Sequence, residues 1–280
     1  MENYEQYFSA NKELWNQRTV IHKDSSFYDA AGFKAGKNVL TPIELKELGD
    51  VNGKKMLHLQ CHFGMDSLNW ARLGADVTGI DLSDEAINEA KKLNDELGLN
   101  AKFICCNVYD LLIEDSASSK VSPLGGDLEG ATFDIIFTSY GVIGWLPDLD
   151  KWAAIISQYL KPGGIFYLAE FHPVIWMFDD DFTHIKYAYE NKEVIITENQ
   201  GTYTDRNAAI KTKEYSWNHS ISEVLNALLS HGLRLTTFNE HMYSPYPCFN
   251  KITEAPGGNW CIKGMEGKLP MVYSLTAVKS

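Results

Sequence analysis

Short apolar runs alternate with amphipathic segments from Lys54 onwards, and this alternation predicts a parallel sheet covered by helices. Three apolar runs predict the first strands, at residues 54–61, 76–83 and 101–109. Two segments with apolar residues at helical spacing predict the helices between them, at residues 65–74 and 84–98. Gly74, Ser83 and Gly98 are typical residues for the ends of such helices. Short strands that alternate with helices of about 10–15 residues indicate βαβ units, and hence a parallel sheet.

The same alternation continues to His172 and then changes. Residues 133–141 and 165–172 predict a fourth and a fifth strand, separated by a helix at 149–160 and a KPGG turn. Residues 184–190, 192–203 and 210–217 predict antiparallel strands with polar turns. A helix is predicted at 220–232, with Ser222 as a possible N-cap, and the last two strands at 233–242 and 270–280.

The N-terminal part has a helical pattern. Thr41 is suited to cap a helix, Pro42 to its first position and Gly49 to its end. Residues 1–50 are therefore predicted to form a helical cap, and residues 51–280 one α/β domain. Within that domain, residues 173–218 are predicted to be a β-rich lid insertion. Residues 114–131, rich in Ser and Gly, predict a surface loop.

The charge, the hydrophobic runs and the cysteines of the sequence limit which partners and which cellular location we expect. The 280-residue chain carries a formal net charge of −12 and no lysine or arginine cluster, which argues against a nucleic-acid partner. Its first residues have neither the basic start nor the apolar core of a secretion signal, and its longest uncharged runs are too short to span a bilayer. Five cysteines without a paired framework favour reduced thiols in the cytoplasm. We expect a cytoplasmic monomer or homodimer without a membrane partner.

The stretch LHLQCHFGMDSL, residues 57–68, predicts a buried strand that turns sharply into a helix. A helix that begins at the carboxyl end of a parallel strand presents free backbone N–H groups to a ligand. Gly64 has no side chain and lets a ligand approach the backbone closely. Asp81 follows at the end of the next predicted strand, where a carboxylate can accept hydrogen bonds from a ribose diol. These residues predict a nucleotide site.

Order and spacing of these motifs, together with LKPGGIFYLAEFHP, resemble a class I S-adenosylmethionine-dependent methyltransferase. The first motif is similar to that of a bacterial subgroup with Gln-Cys-His-Phe-Gly in place of the usual acidic-x-Gly-x-Gly-x-Gly pattern. His58 takes the acidic position, Gln60 and His62 take two glycine positions, and Gly64 alone remains. The resemblance implies a Rossmann-like, doubly wound sheet of seven strands, mostly parallel, with an antiparallel last strand.

S-adenosyl-L-methionine is the cofactor that this resemblance implies. Asp81 would hold the ribose, Asn107 and Val108 the purine, and Gln60 the methionine end. The full set of expected cofactor-binding residues is Gln60, Cys61, Phe63, Gly64, Asp81, Leu82, Asn107, Val108, Ser139 and Tyr140.

The methyl acceptor is expected to be a small, partly apolar molecule that receives the methyl group on O, N or S by in-line displacement. His172 is the first candidate for a general base, because its unperturbed pKa is about 6.5. Glu170 is a rival base, and Tyr140 is the third candidate catalytic residue. The expected substrate-binding residues are Trp15, His22, Tyr28, Trp145 and His172. No metal is expected, because a strand sends His58 and Cys61 to opposite faces.

Two other functions remain open. A binding protein could keep the nucleotide pocket without catalysis, since the first motif has lost most of its glycines. An NAD-dependent oxidoreductase would share the parallel sheet and the ribose carboxylate. It would need a Gly-x-Gly-x-x-Gly turn, which the sequence lacks.

Overall fold

The computed structural model describes residues 4–112, 128, 130–190 and 193–280. Its α-helices are α1 (Glu5–His22), α2 (Ala30–Lys34), α3 (Pro42–Leu48), α4 (Met65–Arg72), α5 (Asp84–Glu96), α6 (Leu149–Tyr159) and α7 (Ile221–Ser230). Its strands are β1 (Lys55–Leu59), β2 (Asp76–Asp81), β3 (Lys102–Cys105), β4 (Phe133–Ser139), β5 (Leu160–Phe171), β6 (Ile195–Gln200), β7 (Lys211–Ser216), β8 (Leu233–His241), β9 (Ile252–Ala255), β10 (Asn259–Ile262) and β11 (Val272–Lys279).

One seven-stranded sheet organises the molecule, in the order β3-β2-β1-β4-β5-β11-β8. The first five strands of this order are parallel, and β11 runs antiparallel to both β5 and β8. This confirms the predicted Rossmann-like sheet with an antiparallel last strand. Because the strand order reverses direction between β1 and β4, a crevice forms there outside the carboxyl ends of the strands.

Helices cover both faces of this sheet. Successive residues of β1 point to opposite sides, so that Met56 belongs to one apolar cluster and Leu57 to the other. The cluster of Met56 includes the fully buried Trp70 of α4, and the cluster of Leu57 includes the fully buried Trp152 of α6. Burial of such aromatic side chains stabilises the fold by about 1.5–3 kcal/mol each.

The N-terminal helices pack onto the sheet and onto a separate hairpin of β6 and β7. Thr41 and Glu44 form a capping box at the start of α3, with Pro42 in its first turn and Gly49 at its end, as the sequence predicts. Asn11 of α1 exchanges two hydrogen bonds with the backbone of Tyr215 in β7. The division into a cap and a lid remains a prediction, but these contacts join the two segments.

Several local predictions are wrong. Residues 184–190 form no strand, and only an isolated bridge joins Phe178 to Ile185. The side chain that caps α7 belongs to Ser220, not Ser222. The hairpin of β9 and β10 was not predicted, and the KPGG turn lies within β5 rather than before it.

The predicted loop at 114–131 falls mostly on residues outside those described. Within the described part, no helix is long and apolar enough to cross a membrane.

Candidate active site

A cavity of about 1310 Å³ lies at the carboxyl ends of β1, β2, β4 and β5. The turn after β1 lines it with residues 60–66, and β2 contributes Asp81. The segment 139–146 after β4 forms a further wall, while α1 and the β6–β7 hairpin supply residues above the strand ends. The predicted position of the site at this edge of the sheet therefore coincides with an actual cavity.

The turn after β1 keeps the backbone shape of a glycine-rich loop although it has few glycines. Gln60, His62 and Gly64 all have positive φ angles, of 57°, 50° and 77°. A left-handed conformation costs a residue with a side chain about 1–2 kcal/mol, so neighbouring contacts must hold Gln60 and His62 in place. Gln60 Nε2 donates to the carbonyl of Val142 at 2.9 Å, and the N–H of His62 donates to Asp81 Oδ2 at 2.8 Å.

Gly64 has a different role from the one predicted. A Cβ atom at this position would lie 2.7 Å from the ring of Phe103 and 2.9 Å from Cβ of Ala90. The missing side chain of Gly64 therefore lets the turn pack against β3 and α5, rather than only making room for a ligand. Gly64 still lines the cavity through its backbone.

Asp81 lines the cavity at the end of β2. Its Oδ1 accepts from the N–H of Ser83 and its Oδ2 from the N–H of His62, both at 2.8 Å. Burial raises the pKa of Asp81 to about 6, against the opposing effect of these hydrogen bonds. Each carboxylate oxygen has a second lone pair, so Asp81 can still accept hydrogen bonds from a ligand.

The remaining residues expected to bind the adenosine also lie in this wall. Cys61, Phe63, Leu82, Asn107 and Val108 line the cavity. The side-chain oxygen of Asn107 accepts from the N–H of Tyr109, which leaves its amide NH₂ as the group to offer a purine. The assignment of these residues to a cofactor remains a prediction.

The segment after β4 brings Ser139, Tyr140 and Trp145 to the cavity. Tyr140 has a positive φ of 37°, and its hydroxyl lies 3.1 Å from both Glu44 Oε2 and Thr41 Oγ1. Burial raises the pKa of Tyr140 well above its ordinary value. The hydroxyl of Tyr140 is thus engaged with the capping box of α3, which argues against a free catalytic role.

Glu170 is not available as a base. Its Oε1 accepts from the N–H groups of Gly141 and Phe171, at 2.5 and 2.6 Å. Its Oε2 accepts from those of Val142 and Ile143, at 2.8 and 3.0 Å. Burial raises the pKa of Glu170, and these hydrogen bonds oppose the rise. Glu170 therefore fixes the segment after β4, and its four hydrogen bonds argue against the predicted role as a catalytic base.

His172 does not line the cavity, which argues against both its predicted catalytic role and its predicted substrate contact. Its Nε2 lies 3.0 Å from Glu240 Oε1, and its Nδ1 accepts from the N–H of Val174 at 3.2 Å. Both ring nitrogens are occupied by the protein. Desolvation lowers the pKa of His172, which Glu240 partly counteracts.

Replacing His172 with glutamine is expected to leave the affinity for S-adenosylhomocysteine within about twofold while lowering the free energy of unfolding by about 1 kcal/mol. Glu240→Gln serves as the matched control, because it removes the partner of the same contact from an exposed position. Calorimetric titration and denaturant unfolding measure the two quantities. A tenfold loss of affinity in His172→Gln alone would return this residue to the binding site.

Aromatic side chains of the N-terminal segment roof the cavity. Trp15 and Tyr28 line it, and their ring centroids lie 5.2 and 5.6 Å from that of His62. His22 does not line the cavity, contrary to its predicted substrate contact; its Nδ1 lies 3.2 Å from Nε2 of His62. Desolvation lowers the pKa of His22 to about 3 and that of His62 well below its ordinary value, so both rings are neutral.

The sequence analysis missed Asp66, Glu44 and Arg18. Asp66 lines the cavity from the first turn of α4, where an acidic residue usually needs no explanation beyond the helix dipole. Glu44 is fully buried, and burial raises its pKa to about 7. Arg18 lines the cavity and pairs with Glu214 of β7 at 2.9 Å. Within the described residues, no group of three His, Cys, Asp or Glu side chains could hold a metal ion.

Comparison with known proteins supplies the deciding observation. The family model for a methyltransferase domain matches residues 57–166. Residues 57–166 are therefore similar to a methyltransferase domain. The matched part holds the turn after β1, Asp66, Asp81 and the end of β4, whereas α1 and the β6–β7 hairpin lie outside it.

Sequences similar to about half of the chain include ubiquinone biosynthesis O-methyltransferases. The chain is 28% identical over 148 residues to a ubiquinone biosynthesis O-methyltransferase of Pasteurella multocida, covering 51% of this chain and 59% of the relative. It is 30% identical over 128 residues to one of Paraburkholderia phymatum, covering 45% and 49%. The chain thus spans about half the length of the curated relatives that it matches.

Solved structures share the fold over nearly the whole chain. An S-adenosylmethionine-dependent methyltransferase of Mesorhizobium loti has a TM-score of 0.54 at 18% identity, covering 88% of this chain and all of that one. A protein of Pyrococcus horikoshii has a TM-score of 0.59 at 13% identity, covering 94% and 99%. The chain therefore shares its fold with these two structures.

Proposed function

We propose that this protein is an S-adenosylmethionine-dependent methyltransferase that acts on a small, partly apolar molecule. The observation that carries the proposal is the cavity at the strand ends of the sheet, with Asp81 and a left-handed turn in one wall. A carboxylate at the end of β2, beside a tight turn that leads into the first turn of α4, suits a ribose and its neighbouring polar groups.

The adenosine would lie on the side of β2 and β3. Asp81 would accept hydrogen bonds from the ribose hydroxyls, and Asn107 would donate to the purine edge above Leu82 and Val108. The methionyl part would then extend past Gln60 towards Ser139 and Tyr140 at the end of β4. When bound, the cofactor supplies a sulfonium methyl group, and the chain's residues orient it and exclude water.

The acceptor would lie beneath the N-terminal helices and the β6–β7 hairpin, which we propose act as cap and lid. Trp15, Tyr28 and Trp145 give this part of the cavity an aromatic lining. Holding a donor and an acceptor in line can lower a barrier by about 7–11 kcal/mol without covalent help from the protein. The similarity to O-methyltransferases makes hydroxyl compounds the first acceptor class to test.

Replacing Asp81 with asparagine is expected to weaken the binding of S-adenosylhomocysteine by about 1–3 kcal/mol, because the ribose hydroxyls lose a charged acceptor. Asp76→Asn is the matched control, since Asp76 begins the same strand at the opposite edge of the sheet. Isothermal titration calorimetry measures both variants. Equal affinities in wild type and Asp81→Asn would place the ribose elsewhere.

Two measurements test the proposed function itself. Calorimetry should detect binding of S-adenosylmethionine and S-adenosylhomocysteine but not of NAD. Release of S-adenosylhomocysteine in the presence of a panel of hydroxyl, amine and thiol acceptors should then identify turnover. Binding of NAD alone would indicate an oxidoreductase instead of a methyltransferase. Binding of S-adenosylmethionine without turnover of any acceptor in the panel would favour a binding protein.

A further inference from the structure

Asp66 is a second carboxylate in the cavity wall, besides Asp81. It lies in the first turn of α4 and is half-buried. Its Oδ2 accepts a hydrogen bond from Ser139 Oγ at 3.3 Å. Across residues 4–112, 130–190 and 193–280, no lysine, arginine or histidine forms an ion pair with it.

The surroundings of Asp66 would favour a bound cation. Burial raises the pKa of Asp66 to about 6, so it is mostly ionised at neutral pH. Burial raises the pKa of the Glu44 carboxyl and of the Tyr28 and Tyr246 hydroxyls, and the negative charge of Asp66 adds to each rise. A buried carboxylate without an opposite charge is costly, and a cationic ligand would remove that cost.

Gln60 offers a second acceptor in the same cavity. Its Nε2 is bound to the carbonyl of Val142, which fixes the orientation of the amide. Its Oε1 is buried and has no hydrogen-bond partner among the described residues. An unsatisfied buried acceptor costs about 1–3 kcal/mol, so a ligand that donates a hydrogen bond to Gln60 Oε1 would recover part of that energy.

His58, at the acidic position of the family pattern, cannot provide this charge. Its Nδ1 lies 2.7 Å from Ser67 Oγ inside the protein. Burial lowers the pKa of His58 to about 3, so the ring is neutral. His58 therefore brings no charge to the cavity, and the nearby carboxylate is that of Asp66 in the first turn of α4.

We propose that Asp66, together with Gln60 Oε1, binds the α-ammonium group of the cofactor's methionyl end. This inference rests on the proposed function. Asp81 lies on the β2 side of β1, and Asp66 contacts Ser139 on the β4 side. A ligand that places its ribose at Asp81 extends its far end towards Asp66. An ammonium donates hydrogen bonds to a carboxylate and an amide oxygen, whereas a sulfonium has no N–H to donate.

The test compares three ligands with wild type, Asp66→Asn and Asp81→Asn by isothermal titration calorimetry. S-adenosylmethionine and S-adenosylhomocysteine carry the ammonium, and 5′-methylthioadenosine lacks the whole amino-acid end. Asp66→Asn is expected to lower the affinities for S-adenosylmethionine and S-adenosylhomocysteine equally, by about 10- to 100-fold. The affinity for 5′-methylthioadenosine is expected to change by less than about twofold. Asp81→Asn should lower the affinities for all three ligands. Asp66→Glu keeps the negative charge and should retain part of the affinity for the two ligands that carry the ammonium group.

Several results would overturn the assignment of Asp66 to the ammonium group. An equal loss for 5′-methylthioadenosine in Asp66→Asn would indicate general damage to the cavity, and a loss confined to S-adenosylmethionine would place the carboxylate at the sulfonium. Unchanged affinities with lost turnover would place Asp66 at the acceptor. If wild type binds none of the three ligands, the proposed function fails along with this inference. If wild type binds all three and Asp66→Asn matches it, only the inference fails.

Discussion

Replacing Glu170 with glutamine is expected to lower the free energy of unfolding by about 4 kcal/mol. Both oxygens of Glu170 accept backbone hydrogen bonds, two each, from the segment after β4 and from Phe171. Glutamine has one oxygen and one NH₂ group, so either orientation places NH₂ against two buried N–H donors. Each unsatisfied buried donor costs about 1–3 kcal/mol.

Denaturant unfolding of Glu170→Gln measures this loss, with Glu240→Gln as the matched control. Glu240→Gln is the same change at a carboxylate that is 47% exposed. Among the described residues, His172 is its ion-pair partner. We expect a change of at most about 1 kcal/mol there. Similar losses in the two variants would mean that the segment 141–143 is held by other contacts and that Glu170 is dispensable to it.

Replacing Gly64 with alanine is expected to cost about 3 kcal/mol or more and to abolish tight cofactor binding. Two effects add at this position. The φ angle of 77° is unfavourable for a residue with a side chain, and the new methyl group would overlap the Phe103 ring and Ala90. Relief requires the turn after β1 to move away from β3 and α5, which displaces the cavity wall.

Gly98→Ala is the control that separates the cost of the positive φ angle from the cost of steric overlap, measured by denaturant unfolding. Gly98 has a positive φ of 62°, but an added Cβ there would meet nothing within 4 Å. Its substitution should therefore cost only the backbone term, about 1 kcal/mol. If Gly64→Ala were no more destabilising than Gly98→Ala, the packing role of Gly64 would be refuted.

The sheet could be predicted from sequence because each strand and helix carries its own local pattern. Apolar runs alternating with amphipathic helices predict the parallel strands β1 to β5, whereas their doubly wound order was implied only by the family resemblance. The segment 173–218 was predicted less well, because residues 184–190 alternate like a strand but have no partner strand to pair with. Pairing depends on distant residues, which a local pattern does not contain.

The site could be predicted only in outline. Asp81 and the turn after β1 follow from strand ends, which the pattern locates. His172 and Glu170 lie where the sequence places them, yet their partners, Glu240 and the N–H groups of residues 141–143, occupy them. Asp66 looked like an ordinary helix-start residue. Hydrogen-bond occupancy distinguishes a structural carboxylate from a free one, and it depends on tertiary contacts.

The contacts between α1 and β7 bear on how molecules enter and leave. Asn11 binds the backbone of Tyr215, and Arg18 pairs with Glu214, so the two segments above the cavity are fastened to each other. Neither can swing aside alone without breaking these bonds. If α1 and the β6–β7 hairpin cover the bound molecule as we propose, we expect both to move together when it enters or leaves.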